Sequence, residues 1–298
     1  MQNSITRPAA AFAKKLSLCL LVLALAACSM ARLGYSNGDT ILYWWLDGYV
    51  GFDSGQRPWV QQRIEKLFAW HRRTQLKEYI ALLAHGQQRL QHTLTKDEVL
   101  ADYEELTKCG DRLIDEAAPD MADLALAMDA DNLEHLQQKF ESNNEKFRKD
   151  YLRGDIQEKQ EHRYKILMEW AEYWFGDFSD EQEAVIRKAS DQRPLNNELW
   201  AADRMQRQQG LLALVKQLQL EKPPHDVATA RINTYVHDNY LLRSSASPEM
   251  KVFFEASKDA VAQLTVVIVN LTTPKQKAFA SARLQQWMDD FAALSDKT

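Results

Sequence analysis

The sequence is poor in the residue spacings that carry out chemistry. Its 7 histidines are scattered, and the chain has no His-Glu-x-x-His, Glu-x-x-His or paired-cysteine spacing that would hold a metal. It also lacks a glycine-rich loop for a phosphate group. The pentapeptide Gly34-Tyr35-Ser36-Asn37-Gly38 has the pattern of a hydrolase nucleophile, but no strand-like run precedes it, which favours a flexible tether. We therefore predict no catalytic residue, no metal and no cofactor, although this does not exclude an enzyme.

Acidic residues are missing from the amino-terminal part of the chain, residues 1–38. Three basic residues occur there before an apolar run: Arg7, Lys14 and Lys15. The apolar run, residues 16–27, is too short for a stable transmembrane helix, which needs roughly 20 residues. This order predicts a signal peptide over residues 1–27, cleaved between Ala27 and Cys28. The alternatives are an uncleaved short anchor and an ordinary secretion signal in which Cys28 is incidental.

The run Leu25-Ala26-Ala27-Cys28 resembles the cleavage site of bacterial lipoproteins. The resemblance implies that Cys28 carries several acyl chains, which together anchor a protein stably where one chain binds only marginally. It also implies sorting by the next residues, and Ser29 without an aspartate favours the periplasmic face of the outer membrane. We therefore predict a signal peptide (1–27), a lipid tether with an aromatic-rich segment (28–56) and a helical domain (57–298).

Positive charge and cysteine are both scarce in the predicted mature chain. The full sequence has 37 basic and 42 acidic residues, and signal cleavage would remove three basic residues and no acidic one, which changes the net charge from −5 to −8. This charge argues against a nucleic-acid partner, which requires a concentrated basic surface. Besides Cys28, the mature chain would contain only Cys109, so no intramolecular disulfide is expected. Cys109 is predicted to be a small buried residue near a helix end, with an intermolecular disulfide or a reactive thiol as alternatives.

Aromatic residues are concentrated close to the predicted anchor: Tyr35, Tyr43, Trp44, Trp45, Tyr49 and Phe52. These rings are expected either to fill the domain core or to lie at headgroup level beside an acylated cysteine. On the long helix that follows, His71, Arg72 and Arg73 form a short basic cluster. This cluster is either a solvated helix face or a site for an anion or a lipid headgroup. The candidate interface therefore consists of six residues: Trp44, Trp45, Tyr49, His71, Arg72 and Arg73.

The amino-terminal part of the predicted mature chain carries a family resemblance. Its specific stretches are Cys28, Ser29, Arg32, Leu33, Tyr35 and Asn37, then Tyr43-Trp44-Trp45-Leu46-Asp47-Gly48-Tyr49 and Trp70-His71-Arg72-Arg73-Thr74-Gln75-Leu76. In these stretches the chain resembles an uncharacterised family of helical lipoproteins of Gram-negative bacteria. The resemblance implies a lipoprotein of unknown function and supplies no active site.

Helical periodicity dominates the sequence from Arg57 onward, because apolar residues recur at three- and four-residue spacings. Helix starts are predicted at Asp39, Pro58, Thr95, Pro119, Asp131, Asp155, Ser179, Asn196 or Asn197, Asp226, Pro248 and Pro274. The β-branched run 264–269 is locally ambiguous, but its helical neighbours favour a helix. The sequence therefore predicts an all-α array or bundle of about nine to ten helices with short loops.

Three of these helix starts have similar sequences: Leu94-Thr95-x-x-Glu98, Phe178-Ser179-x-x-Gln182 and Leu271-Thr272-Thr273-Pro274-Lys275-Gln276. They are similar to the Leu-Thr-x-x-Gln signature of small helical periplasmic stress chaperones, although none matches it fully. Ordinary capping boxes at three independent helix starts explain the same residues.

The sequence thus predicts a location and an architecture rather than a reaction. We expect a binding or scaffolding protein of the cell envelope, anchored to the outer membrane by its lipid, which presents a concave helical surface to a protein, peptide or lipid. A holdase-like periplasmic chaperone is one alternative. A lipid-handling protein or hydrolase is another, which a cavity with convergent polar groups would favour and a solid core would disfavour.

Overall fold

The computed structural model describes residues 32–241 and 246–296. These residues form a short helical turn at 32–36, ten longer helices and short loops, without a strand, which confirms the predicted all-α array. The predicted signal peptide, its cleavage site at Ala27 and Cys28, and the acylated Cys28 itself lie outside the described residues. Across the described part of the chain, no helix combines the length and the apolar character needed to cross a membrane.

The helices are α1 (Gly38–Val50), α2 (Gln56–Arg89), α3 (Lys96–Ala127), α4 (Ala130–Phe147), α5 (Ile156–Phe175), α6 (Asp180–Asp191), α7 (Asn197–Glu221), α8 (His225–Val236), α9 (Pro248–Leu271) and α10 (Pro274–Ser295). A π-helical turn extends α4 over Arg148–Leu152, and another extends α8 over His237–Leu241.

Side-chain caps explain where most of the helices begin. The Thr95 hydroxyl accepts from the backbone N–H of Glu98, and the Glu98 carboxylate accepts from the backbone N–H of Thr95, which confirms the predicted capping box. Asp155 and Ser179 close equivalent boxes at the starts of α5 and α6. Asn196, one of the two predicted starts, caps α7. Local sequence therefore determines these four helix starts.

Four predicted helix starts are wrong. The helix α1 begins at Gly38 after Asn37 rather than after Asp39, and α2 begins at Gln56 rather than at Pro58. Pro119 was expected to begin a short helix, but it lies inside α3, which continues to Ala127. The helix tolerates the missing N–H because its last turns are held by small buried side chains: Ala118, Ala122 and Ala125. Asp131 was expected to cap α4, whereas Asp129 does so in a capping box with Asn132.

The apolar side chains form separate clusters at the two ends of the long helices. One cluster joins the first half of α2 and the second half of α3 to α1, α4, α7 and α8. Two others join α5, α6, α9 and α10 to the region where α2 ends and α3 begins. The 34-residue α2 and the 32-residue α3 therefore connect the two groups of helices. Along their lengths, α10 packs against α2 and α8 against α3.

The second group contains two capping boxes that bind each other. Gln182 Nε2 donates to the carbonyl of Leu271 at 3.0 Å and to Gln276 Oε1 at 2.9 Å. Gln276 Nε2 donates in return to the carbonyl of Asp177 at 2.8 Å. Each glutamine thus caps its own helix and also donates a hydrogen bond to a backbone carbonyl just before the other helix. We call this arrangement the Gln182–Gln276 clasp.

The first group contains an equivalent arrangement, the Gln56–Asn132 clasp. Gln56 Nε2 donates to Asn132 Oδ1 at 2.9 Å and to the carbonyl of Ala127 at 3.1 Å. Asn132 Nδ2 donates to the carbonyls of Val50 and Gly51 at 3.1 and 3.0 Å. The structure therefore pairs the second and third of the similar capping sequences with each other, while the first, at Thr95, belongs to neither clasp.

The start of the described chain is fixed to the helical body. Arg32 forms an ion pair with Asp290 on α10, whose side chain is only 5% exposed. The ring of Tyr35 packs edge-on against Phe68 of α2 at a centroid distance of 5.6 Å. The segment before α1 is therefore held by both α2 and α10.

Candidate functional site

A cavity of about 530 Å³ lies among the helices of the first group, and we call it the α1–α8 cavity. Its volume is within the range of about 300–1,000 Å³ that is typical of small-molecule sites. Most of its wall is aliphatic or aromatic: Leu42, Trp45, Leu46, Tyr49, Val50, Trp59, Val60, Ile64, Leu67, Ala117, Met121, Leu124, Ala125, Met128, Leu136, Phe140, Leu211, Val215, Ile232, Val236 and Tyr240. Such a wall suits an apolar ligand.

Two of the three arginines at this wall are neutralised by carboxylates. Arg63 Nη1 lies 2.9 Å from Asp120 Oδ1, on the neighbouring helix α3. Arg207 Nη2 lies 2.8 Å from Oδ2 of the buried Asp203, one turn earlier on α7. These two arginines therefore bring little net charge to the cavity.

The third arginine, Arg204, differs from the other two. Its Nε donates to Asn144 Oδ1 at 2.7 Å, and its guanidinium lies 5.8 Å from the centre of the Phe147 ring. Asn144 is itself fixed because its amide donates to Gln208 Oε1 at 2.6 Å. Within residues 32–241 and 246–296, no carboxylate forms an ion pair with Arg204. The cavity thus combines an apolar interior with one uncompensated, well-positioned cation.

The aromatic-rich segment divides between the core and the surface. Tyr43 and Phe52 are buried, whereas Trp44 and Trp45 are 64% and 56% exposed. Ile41, also exposed, shares their side of the helix at three- and four-residue spacings, and we call these three residues the α1 face. Trp45 belongs both to the α1 face and to the cavity wall.

Tyr49 lies between the α1 face and the interior. Its ring packs against Trp45 at a centroid distance of 4.7 Å, and its hydroxyl accepts from Asn143 Nδ2 at 2.9 Å. It also lines the α1–α8 cavity. Three of the six candidate interface residues, Trp44, Trp45 and Tyr49, are therefore brought together on α1.

The other three candidates, on α2, do not share one environment. His71 is half-buried, with Nδ1 2.6 Å from the hydroxyl of Tyr35 and Nε2 3.2 Å from the hydroxyl of Tyr79. Burial lowers the pKa of His71 and raises the pKa of Tyr35 to about 12. Arg72 is partly buried, and Arg73 is exposed. His71 thus has internal partners, while Arg73 faces solvent.

Cys109 is buried, as predicted, with 3% of its surface exposed. It lies within α3 rather than near a helix end, because α3 continues through Pro119. Burial raises the pKa of its thiol, which disfavours the thiolate. In the part of the chain that the structure describes, no three histidine, cysteine or acidic side chains are grouped to hold a metal ion.

Fold and site together define an all-helical protein with an apolar, arginine-lined cavity. The chain belongs to a family of unknown function, DUF6279, whose profile matches residues 48–237. This match confirms the predicted relationship to an uncharacterised family. No curated protein matches the chain. No solved structure matches it either.

The α1–α8 cavity could not be predicted from the sequence, because its wall comes from six helices that are far apart in the chain. The aromatic segment around Trp45 and Tyr49 was the one signal that pointed to it. Arg204 could not be predicted as a site residue, because whether an arginine lacks a carboxylate partner depends on the folded structure.

Proposed function

We propose that this chain is a lipid-anchored binding protein of the cell envelope whose α1–α8 cavity holds the acyl part of an anionic amphiphile. The observation that supports this most is an apolar cavity of about 530 Å³ with Arg204 at its wall, where Arg204 forms no ion pair with a carboxylate of the described residues. Each CH₂ group transferred from water into such a cavity contributes about 0.8 kcal/mol. A guanidinium is the side chain best suited to a carboxylate or phosphate head.

The proposed location is the periplasmic face of the outer membrane, with acylated Cys28 as the anchor. The exposed α1 face supports contact with the bilayer, because indole rings favour the headgroup region. Since Trp45 lies on this face and also at the cavity wall, it marks a path by which an acyl chain would move from the bilayer into the cavity.

Ligand binding can be tested with palmitate and hexadecanol, which share a chain and differ in charge. Both should displace the neutral fluorophore N-phenyl-1-naphthylamine from the mature chain. Arg204→Gln should weaken palmitate binding by about 10- to 100-fold, the equivalent of about 1.5–3 kcal/mol for a charge-assisted hydrogen bond, and leave hexadecanol binding unchanged. Lys216→Gln, an exposed site on the same helix, is the charge-matched control. Equal palmitate affinity in the wild type and Arg204→Gln would contradict the role of Arg204.

A steric variant tests whether the ligand occupies the cavity. Ala117 lies at the cavity wall, so Ala117→Phe should abolish the binding of both probes. Ala101, exposed on the same helix, provides the matched control Ala101→Phe, which should bind normally. If Ala117→Phe folds and still binds palmitate as the wild type does, the ligand site lies elsewhere.

The anchor is tested by the intact mass of the protein extracted from bacterial membranes. The wild type should lack residues 1–27 and carry additional acyl mass, whereas Cys28→Ala should keep its signal and carry none. An uncleaved and unmodified wild-type chain would refute the anchoring proposal. The ligand of the α1–α8 cavity would then have to be a soluble molecule or a molecule from another location in the cell.

A holdase-like chaperone is the second candidate, and the α1 face is the observation that favours it. Ile41 and Trp44 are 58% and 64% exposed, so they offer apolar surface to an unfolded client. If this function holds, the mature chain suppresses aggregation of a reduced client protein, and a variant carrying both Ile41→Ser and Trp44→Ser loses that protection. No protection by the wild type would refute it.

A further inference from the structure

A second cavity, of about 520 Å³, lies between the π-helical turn after α4, the first half of α5 and the loop before α7. Basic side chains outnumber acidic ones at its wall: Arg153, Lys159, His162, Arg163 and Arg193 against Asp150 and Glu158. We call it the Arg163–Arg193 pocket. This local excess of positive charge contrasts with the net charge of −5 of the whole chain.

Some of these charged groups already have partners. Lys159 Nζ lies 3.1 Å from Glu198 Oε1. The Glu158 carboxylate accepts from the backbone N–H of Asp155 at 3.0 Å in the capping box of α5. The Lys159–Glu198 pair is therefore neutral, whereas Glu158 keeps its negative charge. Among the remaining wall residues, the three arginines Arg153, Arg163 and Arg193 exceed the two carboxylates Asp150 and Glu158 by one charge.

Arg163 makes its hydrogen bonds to neutral groups. It donates to the carbonyl of Ser190 at 2.6 Å, in the last turn of α6, and to the carbonyls of Arg193 at 3.4 Å and Pro194 at 3.0 Å in the loop that follows. Asp191 is the acid that acts most on Arg163, but one of its oxygens already accepts from Arg187 Nε at 3.0 Å. Burial lowers the pKa of Arg163, and the nearby Asp191 opposes this shift.

The side chain of Arg193 has fewer hydrogen-bonding and ion-pair partners than that of Arg163. Within the described residues its side chain makes no hydrogen bond and no ion pair, and its Nε is buried without an acceptor. Burial and the neighbouring charge of Arg163 lower the pKa of Arg193 to about 10. Two cations held close together are unfavourable, and an anion that accepts from the terminal nitrogens of Arg193 would offset this repulsion.

We propose that the Arg163–Arg193 pocket binds a phosphoryl group, which accepts hydrogen bonds from the free guanidinium of Arg193 and neutralises the adjacent Arg163. Phosphate oxygens match the planar fork of an arginine side chain. Ile166, Leu167 and Leu195 at the same wall would contact the organic part of a phosphate monoester. Inorganic phosphate and a phosphorylated lipid headgroup share the recognised group. The site is separate from the α1–α8 cavity and does not rest on the function proposed for it.

The test is isothermal titration of the mature chain with inorganic phosphate, together with thermal unfolding. The wild type should bind one phosphate and unfold at a higher temperature in its presence. Arg193→Gln should bind phosphate at least tenfold more weakly, and without phosphate it should unfold at the same or a higher temperature than the wild type, because a like-charge contact is removed. Lys216→Gln, an exposed lysine far along α7, should behave as the wild type. Absence of phosphate binding, or equal affinity in Arg193→Gln, would overturn the proposal.

Two further arms complete the test. Dihexanoyl phosphatidic acid distinguishes a lipid headgroup from free phosphate as the ligand. Binding at least tenfold tighter than that of inorganic phosphate indicates a lipid headgroup, and equal binding indicates free phosphate, with Arg193 required in both cases.

Arg193→Lys keeps the positive charge and loses the planar guanidinium, so it replaces Arg193→Gln as the test variant if Arg193→Gln does not fold. A loss of less than threefold in Arg193→Lys would then overturn the proposal. Palmitate binding should be unchanged in both variants, which separates this site from the cavity.

Discussion

Removing one glutamine from the Gln182–Gln276 clasp should destabilise the protein strongly. Gln276 is 7% exposed, and its side chain takes part in five hydrogen bonds at the start of α10. Its Oε1 accepts from the backbone N–H of Thr273 at 2.9 Å, from the Thr273 hydroxyl at 3.1 Å and from Gln182 Nε2 at 2.9 Å. Its Nε2 donates to the carbonyl of Asp177 at 2.8 Å and to Gln182 Oε1 at 3.3 Å. Gln276→Ala removes all five bonds in a place that water reaches poorly.

The expected magnitude follows from this set of bonds. At a net value of about 1 kcal/mol for each hydrogen bond, Gln276→Ala should lower the free energy of unfolding by about 5 kcal/mol. Gln182→Ala loses four bonds, with Ser179, Leu271 and twice with Gln276, and should cost about 4 kcal/mol. Because the two glutamines share two of these bonds, the double variant should lose about 2 kcal/mol less than the two single losses together.

Urea unfolding followed by far-ultraviolet circular dichroism measures these free energies. Gln137→Ala is a suitable control, because Gln137 is exposed on α4 and bonds only to Glu141 one turn later. This control should change the free energy of unfolding by no more than about 0.5 kcal/mol. Additive losses in the double variant, or losses below about 1 kcal/mol in either single variant, would refute the reasoning.

Three further results are expected from urea unfolding. Gly38→Ala should cost about 1–3 kcal/mol, because a Cβ there would lie 2.6 Å from the Phe68 ring; an unchanged stability would contradict this close approach. Leu76→Ala, at a side chain 1% exposed, should cost about 2–5 kcal/mol, whereas Leu220→Ala, at a side chain 86% exposed, should change stability by less than about 0.5 kcal/mol. Burial lowers the pKa of His71 below its usual 6.5, so the unfolded chain binds the proton more readily and stability should fall as the pH falls through 6.5. This loss should be smaller in His71→Gln, and an identical pH dependence in the variant would contradict the assignment.

The sequence was sufficient to predict the helical architecture and many helix starts. Thr95, Asp155, Ser179 and Asn196 cap their helices as predicted, because a capping residue acts on the backbone only two or three residues away. Prediction failed at Pro119, where tertiary packing of α3 outweighs the local preference of proline for a helix start.

Features that depend on distant residues could not be predicted in this way. The Gln56–Asn132 clasp joins two helix starts through side chains whose local sequences look ordinary, so their pairing could not be predicted. The same holds for Arg193, because its lack of an ion pair within the described residues depends on how α5, α6 and the following loop come together. Side-chain chemistry was visible in the sequence, but the environment of each side chain was not.

The ion pair between Arg32 and Asp290 limits how far the protein could stand from a membrane. Arg32 follows Cys28 by four residues, and a fully extended chain of that length spans about 14 Å. With Cys28 acylated as proposed, a body fixed at Arg32 would diffuse in a thin layer along the leaflet and would search for its ligands in two dimensions. Amphiphiles and proteins of that same membrane would then be encountered often, whereas molecules deeper in the compartment would have to come to it.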